Sequence, residues 1–254
     1  MRYSLLTGVC FAVAMAFSAP ALAQVSIAEA VASPDRYEGA LVMDEGRKPA
    51  EVLAWARIEA GMDVADIMPG LGYWTEIMAP IVGPEGSVAA LQPEQFYNED
   101  RANALWDSIL AANPGAARVR YPFDQFSYAA DSFDLVLINN SYHDIYWQSE
   151  QYRIPLSDPD VLVTGLFAAT RPGGHVVVID HAADAGSEPR ASVDAMHRIA
   201  ADVVIADFER AGFVLVDRSD LLANPADDHT RSVFDEALDG YSDRFMLKFR
   251  KPAA

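Results

Sequence analysis

Apolar residues along this chain come in short blocks separated by amphipathic stretches. Residues 133–138 (Phe-Asp-Leu-Val-Leu-Ile) and 175–179 (His-Val-Val-Val-Ile) are near-continuous apolar runs of strand length. Such runs suit strands buried on both faces of a parallel sheet. Shorter runs at 63–68, 87–91, 118–121 and 213–216 predict four more strands. Residues 244–250 alternate instead, with Phe245, Leu247 and Phe249 on one face, which predicts an antiparallel strand near a sheet edge. Helical periodicity fills the intervals. One helix starts at Pro49, with proline in its first turn, and breaks before Gly61. Others cover 74–82, about 100–112 (opened by Asn98 or Asp100), 161–170 and 193–211, the last ended by Gly212 in a left-handed stop position. Residues 26–48 read as a polar lead-in.

Strands alternating with helices predict an α/β domain: a single doubly wound, mostly parallel seven-stranded sheet whose final strand is antiparallel and reached by a long loop. The sequence shows no internal repeat, low-complexity tract or interdomain linker. One domain over residues 24–254 is the reading.

The segment before it carries a different signal. Arg2 gives a minimal positive start, residues 5–17 are mostly apolar, and Ala21-Leu-Ala23 is a small-x-small cleavage site. This pattern predicts a secretory signal peptide over residues 1–23, cleaved after Ala23, and hence a periplasmic or secreted protein. The apolar stretch is short for a bilayer span, so no membrane association is expected after cleavage. Cleavage removes Cys10, the only cysteine, leaving a chain that cannot mispair thiols in an oxidising compartment and must rely on an ordinary core. The formal net charge of −18 repels phosphate backbones, so nucleic acid is not an expected partner. A small-molecule substrate is; the oligomeric state is left open.

Candidate chemistry gathers at the expected carboxyl ends of the strands, where open α/β sheets bind ligands. The first strand runs into Asp66 and then a turn containing Pro69, Gly70 and Gly72, followed at once by a helix from Tyr73. A turn of this kind lets backbone approach a ligand closely. A dinucleotide fingerprint would need a third glycine where Thr75 stands, which disfavours a nicotinamide oxidoreductase. The second strand ends at Gln92-Pro93, and Asp124 precedes the fourth. The fourth strand ends in Asn139-Asn-Ser-Tyr-His-Asp144 and the fifth in Asp180-His181.

Several of these segments together resemble the class I S-adenosylmethionine (SAM) dependent methyltransferases. The acid-to-glycine spacing from Asp66 to Gly70 and Gly72 is similar to that family's first motif. Asp131-Ser-Phe-Asp-Leu-Val136 is similar to its entry to strand four, and residues 168–180, with Arg171-Pro-Gly-Gly174, to its fifth-strand turn. More narrowly, Pro-Gly-x-Gly-Tyr-Trp-Thr, Tyr-His-Asp and Ile-Asp-His-Ala-Ala resemble a bacterial group of predicted exported methyltransferases. The resemblance implies SAM as cofactor. Asp66, Pro69, Gly70, Gly72 and Tyr73 would lie at its amino acid end, Asp124 near the adenine, and Gln92 at the ribose, with Asn139 also in the site. Two positions depart from the pattern: Met68 replaces the first usual glycine, and Gln92 replaces an acid.

His143, Asp144 and His181 are the catalytic candidates, because an imidazole can take a proton from a nucleophile while a carboxylate orients the ring. Metal binding by His143, His181 and Asp180 lacks a close ligand pair, and no metal is expected. His197 and Arg198 are read as a solvated helix face, His175 as structural, and the loop carrying His229 as a surface loop or lid. Tyr142, Tyr146, Trp147 and Tyr152 could line an aromatic acceptor pocket. The sequence therefore reads as a SAM-dependent methyltransferase acting on a small acceptor. An exported ligand-binding module of the same fold, without methyl transfer, is the alternative.

Overall fold

The computed structural model describes residues 25–253 apart from residue 239. The expected signal peptide and its cleavage point lie outside the described residues. The polar lead-in is not irregular: it forms α1 (Ile27–Val31), α2 (Glu38–Leu41) and α3 (Asp44–Arg47), and α1 opens with a reciprocal Ser26–Glu29 capping box. There follow α4 (Pro49–Ala56), β1 (Asp63–Ile67), α5 (Tyr73–Val82), β2 (Ser87–Pro93), α6 (Asp100–Ala112), β3 (Ala116–Tyr121) and β4 (Phe133–Asn139). The second half comprises α7 (Pro159–Ala169), β5 (Thr170–His181), α8 (Pro189–Met196), α9 (Ala201–Ala211), β6 (Val214–Ser219) and β7 (Arg244–Arg250).

The seven strands form one sheet in the order β3-β2-β1-β4-β5-β7-β6. All pairings are parallel except those of β7, which runs antiparallel to both β5 and β6. The order reverses between β1 and β4, the topological switch point. Strand side chains alternate between two apolar layers. Val136 and Ile138 of β4 and Val176 and Val178 of β5 pack with α7 and α9, through Leu162, Leu166, Val204 and Phe208. Leu135, Leu137, Val177 and Ile179 pack with α4 and α5, through Val52, Leu53, Ile77 and Met78. Burial on both faces is why these strands read as unbroken apolar runs.

The single helix expected over 193–211 is two helices. His197 ends α8 in the left-handed region, at φ 54° and ψ 48°. Ile199 then pairs with the end of β5: its N–H donates to the His181 carbonyl and its own carbonyl accepts from Ala183 N–H, both at 3.0 Å. These long-range backbone bonds replace the helical ones, although the apolar periodicity continues through the break. Arg198, read as solvent-facing, is fully buried and paired with Asp227 at 2.8 Å.

Candidate active site

Two cavities open side by side over the carboxyl ends of β1, β4 and β5. The first, about 280 Å³, is lined by Asp66, Pro69, Gly70, Tyr73, Gln92 and Asn139, with Met43, Arg47, Met68, Leu71, Trp74, Phe96 and Tyr97. The second, about 400 Å³, is lined by His143, His181, His197, Trp147, Tyr152, Val233 and Phe234. Tyr97, Asn140 and Asp144 face both and form the shared wall.

The glycine turn is held rigidly before any ligand arrives. Gly70 N–H donates to Gln92 Oε1 at 3.1 Å, and Gly70 O accepts from Trp106 Nε1 at 3.0 Å. Gly72 N–H closes the turn onto Pro69 O. Gly70 and Gly72 have φ of 59° and 84°, and a Cβ on Gly72 would meet Ile109 Cδ1 at 2.7 Å. Gly72 thus faces α6 and makes room for Trp106 and Ile109; it is not among the residues lining the cavity. Met68, where a glycine is usual, also has positive φ, 52°. The backbone keeps the shape that glycine favours although the residue differs.

With these amides engaged, side chains supply the cavity's free polarity. Among the described residues, the buried Gln92 Nε2 and Trp74 Nε1 have no partner, and neither do the side-chain oxygens Oδ1 of Asn139 and Asn140. Because Gln92 Oε1 is committed to Gly70, Gln92 offers the cavity a donor where an acid would offer acceptors. Asp66 is buried and accepts from Thr75 Oγ1 at 2.7 Å. Burial raises its pKa to about 7, with Thr75 and the more distant Arg47 charge opposing the rise. Asp124 lies in the loop between β3 and β4 and does not line either cavity.

Arg47 is the site residue that sequence reading missed. Its guanidinium lies 4.3 Å from the Tyr73 ring centroid and has no carboxylate within ion-pairing distance among the described residues. The short helix carrying it is clamped. Asp44 accepts from both Arg36 Nη atoms at 2.8 Å and from the Tyr73 hydroxyl at 2.7 Å; Gly46 O accepts from Arg244 Nη2 at 2.6 Å. Lys48 Nζ reaches Leu221 O. No local motif marks Arg47, because contacts distant in sequence bring it to the site.

His143, Asp144 and His181, the three catalytic candidates, all line the second cavity. The carboxylate that orients His143 is however Asp180, not its neighbour Asp144. Asp180 Oδ1 lies 2.7 Å from His143 Nδ1 and its Oδ2 accepts His143 N–H at 2.8 Å, whereas Asp144 Oδ1 is 3.5 Å from Nε2. Burial disfavours the imidazolium, but the charges of Asp180 and Asp144 outweigh it and raise the His143 pKa to about 9. Burial pushes Asp144 up to about 6, with His143 resisting and Asp180 reinforcing the shift. Desolvation, with the nearby His143 charge, drives the partly buried His181 down to about 3, and its Nδ1 lies 2.6 Å from Ser242 Oγ. His197 is lowered as well, chiefly by burial and then by His143. At neutral pH His143 is therefore charged while His181 and His197 are neutral.

Of the four aromatic candidates, Trp147 and Tyr152 line this cavity; Tyr142 and Tyr146 do not. Both of those phenols instead donate to Asp207 Oδ2 on α9, at 2.7 and 2.5 Å. The loop after β6 completes the wall with Val233 and Phe234. It is tied down by the Arg198–Asp227 pair and by His229, whose ring nitrogens each sit 2.9 Å from a carboxylate oxygen, of Asp184 and of Asp243. His175, expected to begin its strand, lies midway along β5, away from the site, paired with Arg250 of β7 and beside Arg57 and Lys248. Among the described residues no group of three or more His, Cys, Asp and Glu side chains could hold a metal ion, and no helix is long and apolar enough to cross a membrane.

No protein-family model matches the chain, and no curated protein matches it. Solved structures do. A SAM-dependent methyltransferase from Aquifex aeolicus superposes with a TM-score of 0.57 over 85% of this chain and 94% of its own, at 15% identity. The [4+2]-cyclase SpnF gives 0.58 over 82% of each chain at 14% identity. A SAM-dependent methyltransferase from Mesorhizobium loti gives 0.51 over 79% of this chain and 96% of its own, at 18% identity. The chain has the Rossmann-like methyltransferase fold, with its last strands antiparallel. In that fold the two cavities occupy the switch-point rim, where its ligands are expected.

Proposed function

We propose that this protein is a SAM-dependent methyltransferase that binds its cofactor in the 280 Å³ cavity and a small acceptor in the 400 Å³ chamber beside it. One observation carries the reading: the two cavities meet at a common wall of Tyr97, Asn140 and Asp144, as a transfer between two bound molecules requires. SAM supplies an electrophilic methyl group. The residues present fit it at its amino acid end. Arg47 and Trp74 Nε1 would hold its carboxylate, and the Oδ1 atoms of Asn139 and Asn140 its ammonium group. Gln92 Nε2 would donate to a ribose oxygen.

The chain's own contribution to the reaction is alignment and charge. Asp144 stands at the wall as a carboxylate near developing and vanishing positive charge. His143 already holds its proton at neutral pH and serves as a fixed donor kept in place by Asp180. The neutral ring of His197 remains to receive a proton from the acceptor, while His181, engaged with Ser242, resists protonation. The leader-like segment at residues 1–23 supports action outside the cytoplasm.

Isothermal titration of the full chain with SAM and S-adenosylhomocysteine tests the reading. Micromolar binding of both is expected. Affinity no better than millimolar for both overturns it.

A further inference from the structure

The acceptor chamber differs in character from the cofactor cavity. Its wall is a connected series of rings. Trp147 lies 5.5 Å from Tyr152 and 5.1 Å from His197, centroid to centroid; His197 lies 4.8 Å from Phe234 and 5.6 Å from His143, and His143 lies 5.7 Å from His181. Val233 is the one aliphatic side chain among the lining residues. Phe234 is 73% exposed, although it stands edge-on to His197 over the chamber. A large ring held this open to solvent at a cavity mouth gains apolar contact when a flat ligand lies beneath it.

Charge narrows the class further. No lysine or arginine lines the chamber. Its ionised groups are His143, engaged with Asp180 at 2.7 Å, and Asp144, 3.5 Å from the same ring. One imidazolium between two carboxylates leaves the chamber with excess negative charge. A carboxylate- or phosphate-bearing acceptor would therefore meet repulsion, since the one cation lining the chamber is already engaged by two carboxylates. The neutral rings of His181 and His197 can accept a hydrogen bond from a protic group.

Building on the methyltransferase reading, we infer that the acceptor is a flat, uncharged aromatic molecule carrying a protic ring substituent, such as a phenolic hydroxyl. In the transfer a bond forms between the acceptor oxygen and the methyl carbon while the carbon–sulfur bond breaks. The electron pair of that bond goes to sulfur, giving neutral S-adenosylhomocysteine. The acceptor proton goes to the neutral imidazole of His197, and from there to solvent. The chamber volume accommodates one or two fused rings.

The test is titration of the full chain with three probes of one size: 2-naphthol, its saturated analogue decahydro-2-naphthol, and 2-naphthoate. 2-Naphthol is expected to bind at least tenfold tighter than either of the others. In Trp147→Leu and Phe234→Leu that preference should shrink to about twofold. Neither residue lines the cofactor cavity, so SAM affinity should stay unchanged in both variants and reports that they are folded. Equal binding of the saturated analogue, preference for the carboxylate, or a preference that survives both substitutions overturns the inference. Failure of all three probes to bind a chain that does bind SAM overturns it too, and leaves the methyltransferase reading standing. Binding of 2-naphthol by a chain that does not bind SAM supports the chamber's chemistry and removes the cofactor reading instead.

Discussion

Single side chains decide how this site handles charge. Arg47 brings a guanidinium without an ion-pair partner into a cavity that also holds Asp66. A hydrogen bond to a charged group contributes about 1.5–3 kcal/mol, or roughly ten- to a hundredfold in affinity. Arg47→Met is therefore expected to weaken SAM binding by that factor. It should leave 5′-methylthioadenosine, which lacks the carboxylate, within about twofold; equal losses for both ligands would place Arg47 elsewhere. His143 gives a pH signature. Its folded pKa, about 9, lies above its ordinary 6.5, so the stabilisation from its ion pair with Asp180 is fully present below pH 6.5 and lost as pH rises through 9. Denaturant titrations should show wild type more stable than His143→Gln at pH 6, with the gap closing by about pH 9.5; a constant gap would mean that the ring is not charged. The sequence made His143, Asp144 and His181 legible because they end adjacent strands. Arg47 was not legible: it follows a polar stretch, and its helix is brought to the site by contacts with Arg36, Tyr73 and Arg244, the last bonded to Gly46 from 198 positions away in sequence.

At the scale of elements, the glycine turn and the α8–α9 break set the positions of everything above. Gly72→Ala would force a Cβ toward Ile109 and Trp106 at a φ that alanine resists, and should destabilise the protein by about 1–3 kcal/mol in chemical denaturation. A loss within experimental error would show that α6 gives way easily. The strands and most helices were readable because two-sided burial writes continuous apolar runs and Pro-Gly punctuation marks their ends. The helix break was not readable, since 3.6-residue periodicity runs straight through His197. What competes there is a backbone pairing between Ile199 and residues 181–183, whose partners lie across the fold. Tyr142 and Tyr146 illustrate the same limit. Placed in an aromatic loop, they look available to a ligand, yet an aspartate 61 and 65 positions on, Asp207, takes both hydroxyls.

Across the whole molecule, the sheet supplies a rigid floor and the segments before β1 and after β6 supply the walls. The long loop from β6 to β7 is anchored by a buried pair, Arg198 with Asp227, together with the His229 contacts. Removing one partner of such a pair costs about 3–5 kcal/mol, because a charge is left buried alone. Arg198→Met is expected to raise amide hydrogen exchange across residues 224–243 while β1, β4 and β5 stay protected; uniform deprotection would mean that the loop and the sheet open together. The account as a whole depends on SAM lying in the cavity between β1, β2 and β4. Ultraviolet cross-linking with methyl-labelled SAM, followed by peptide mapping, tests this most directly. Label is expected in peptides spanning 43–47, 66–74, 92–97 or 139–144, and it should be competed away by unlabelled S-adenosylhomocysteine. Label confined to other peptides, or undiminished by the competitor, would contradict it.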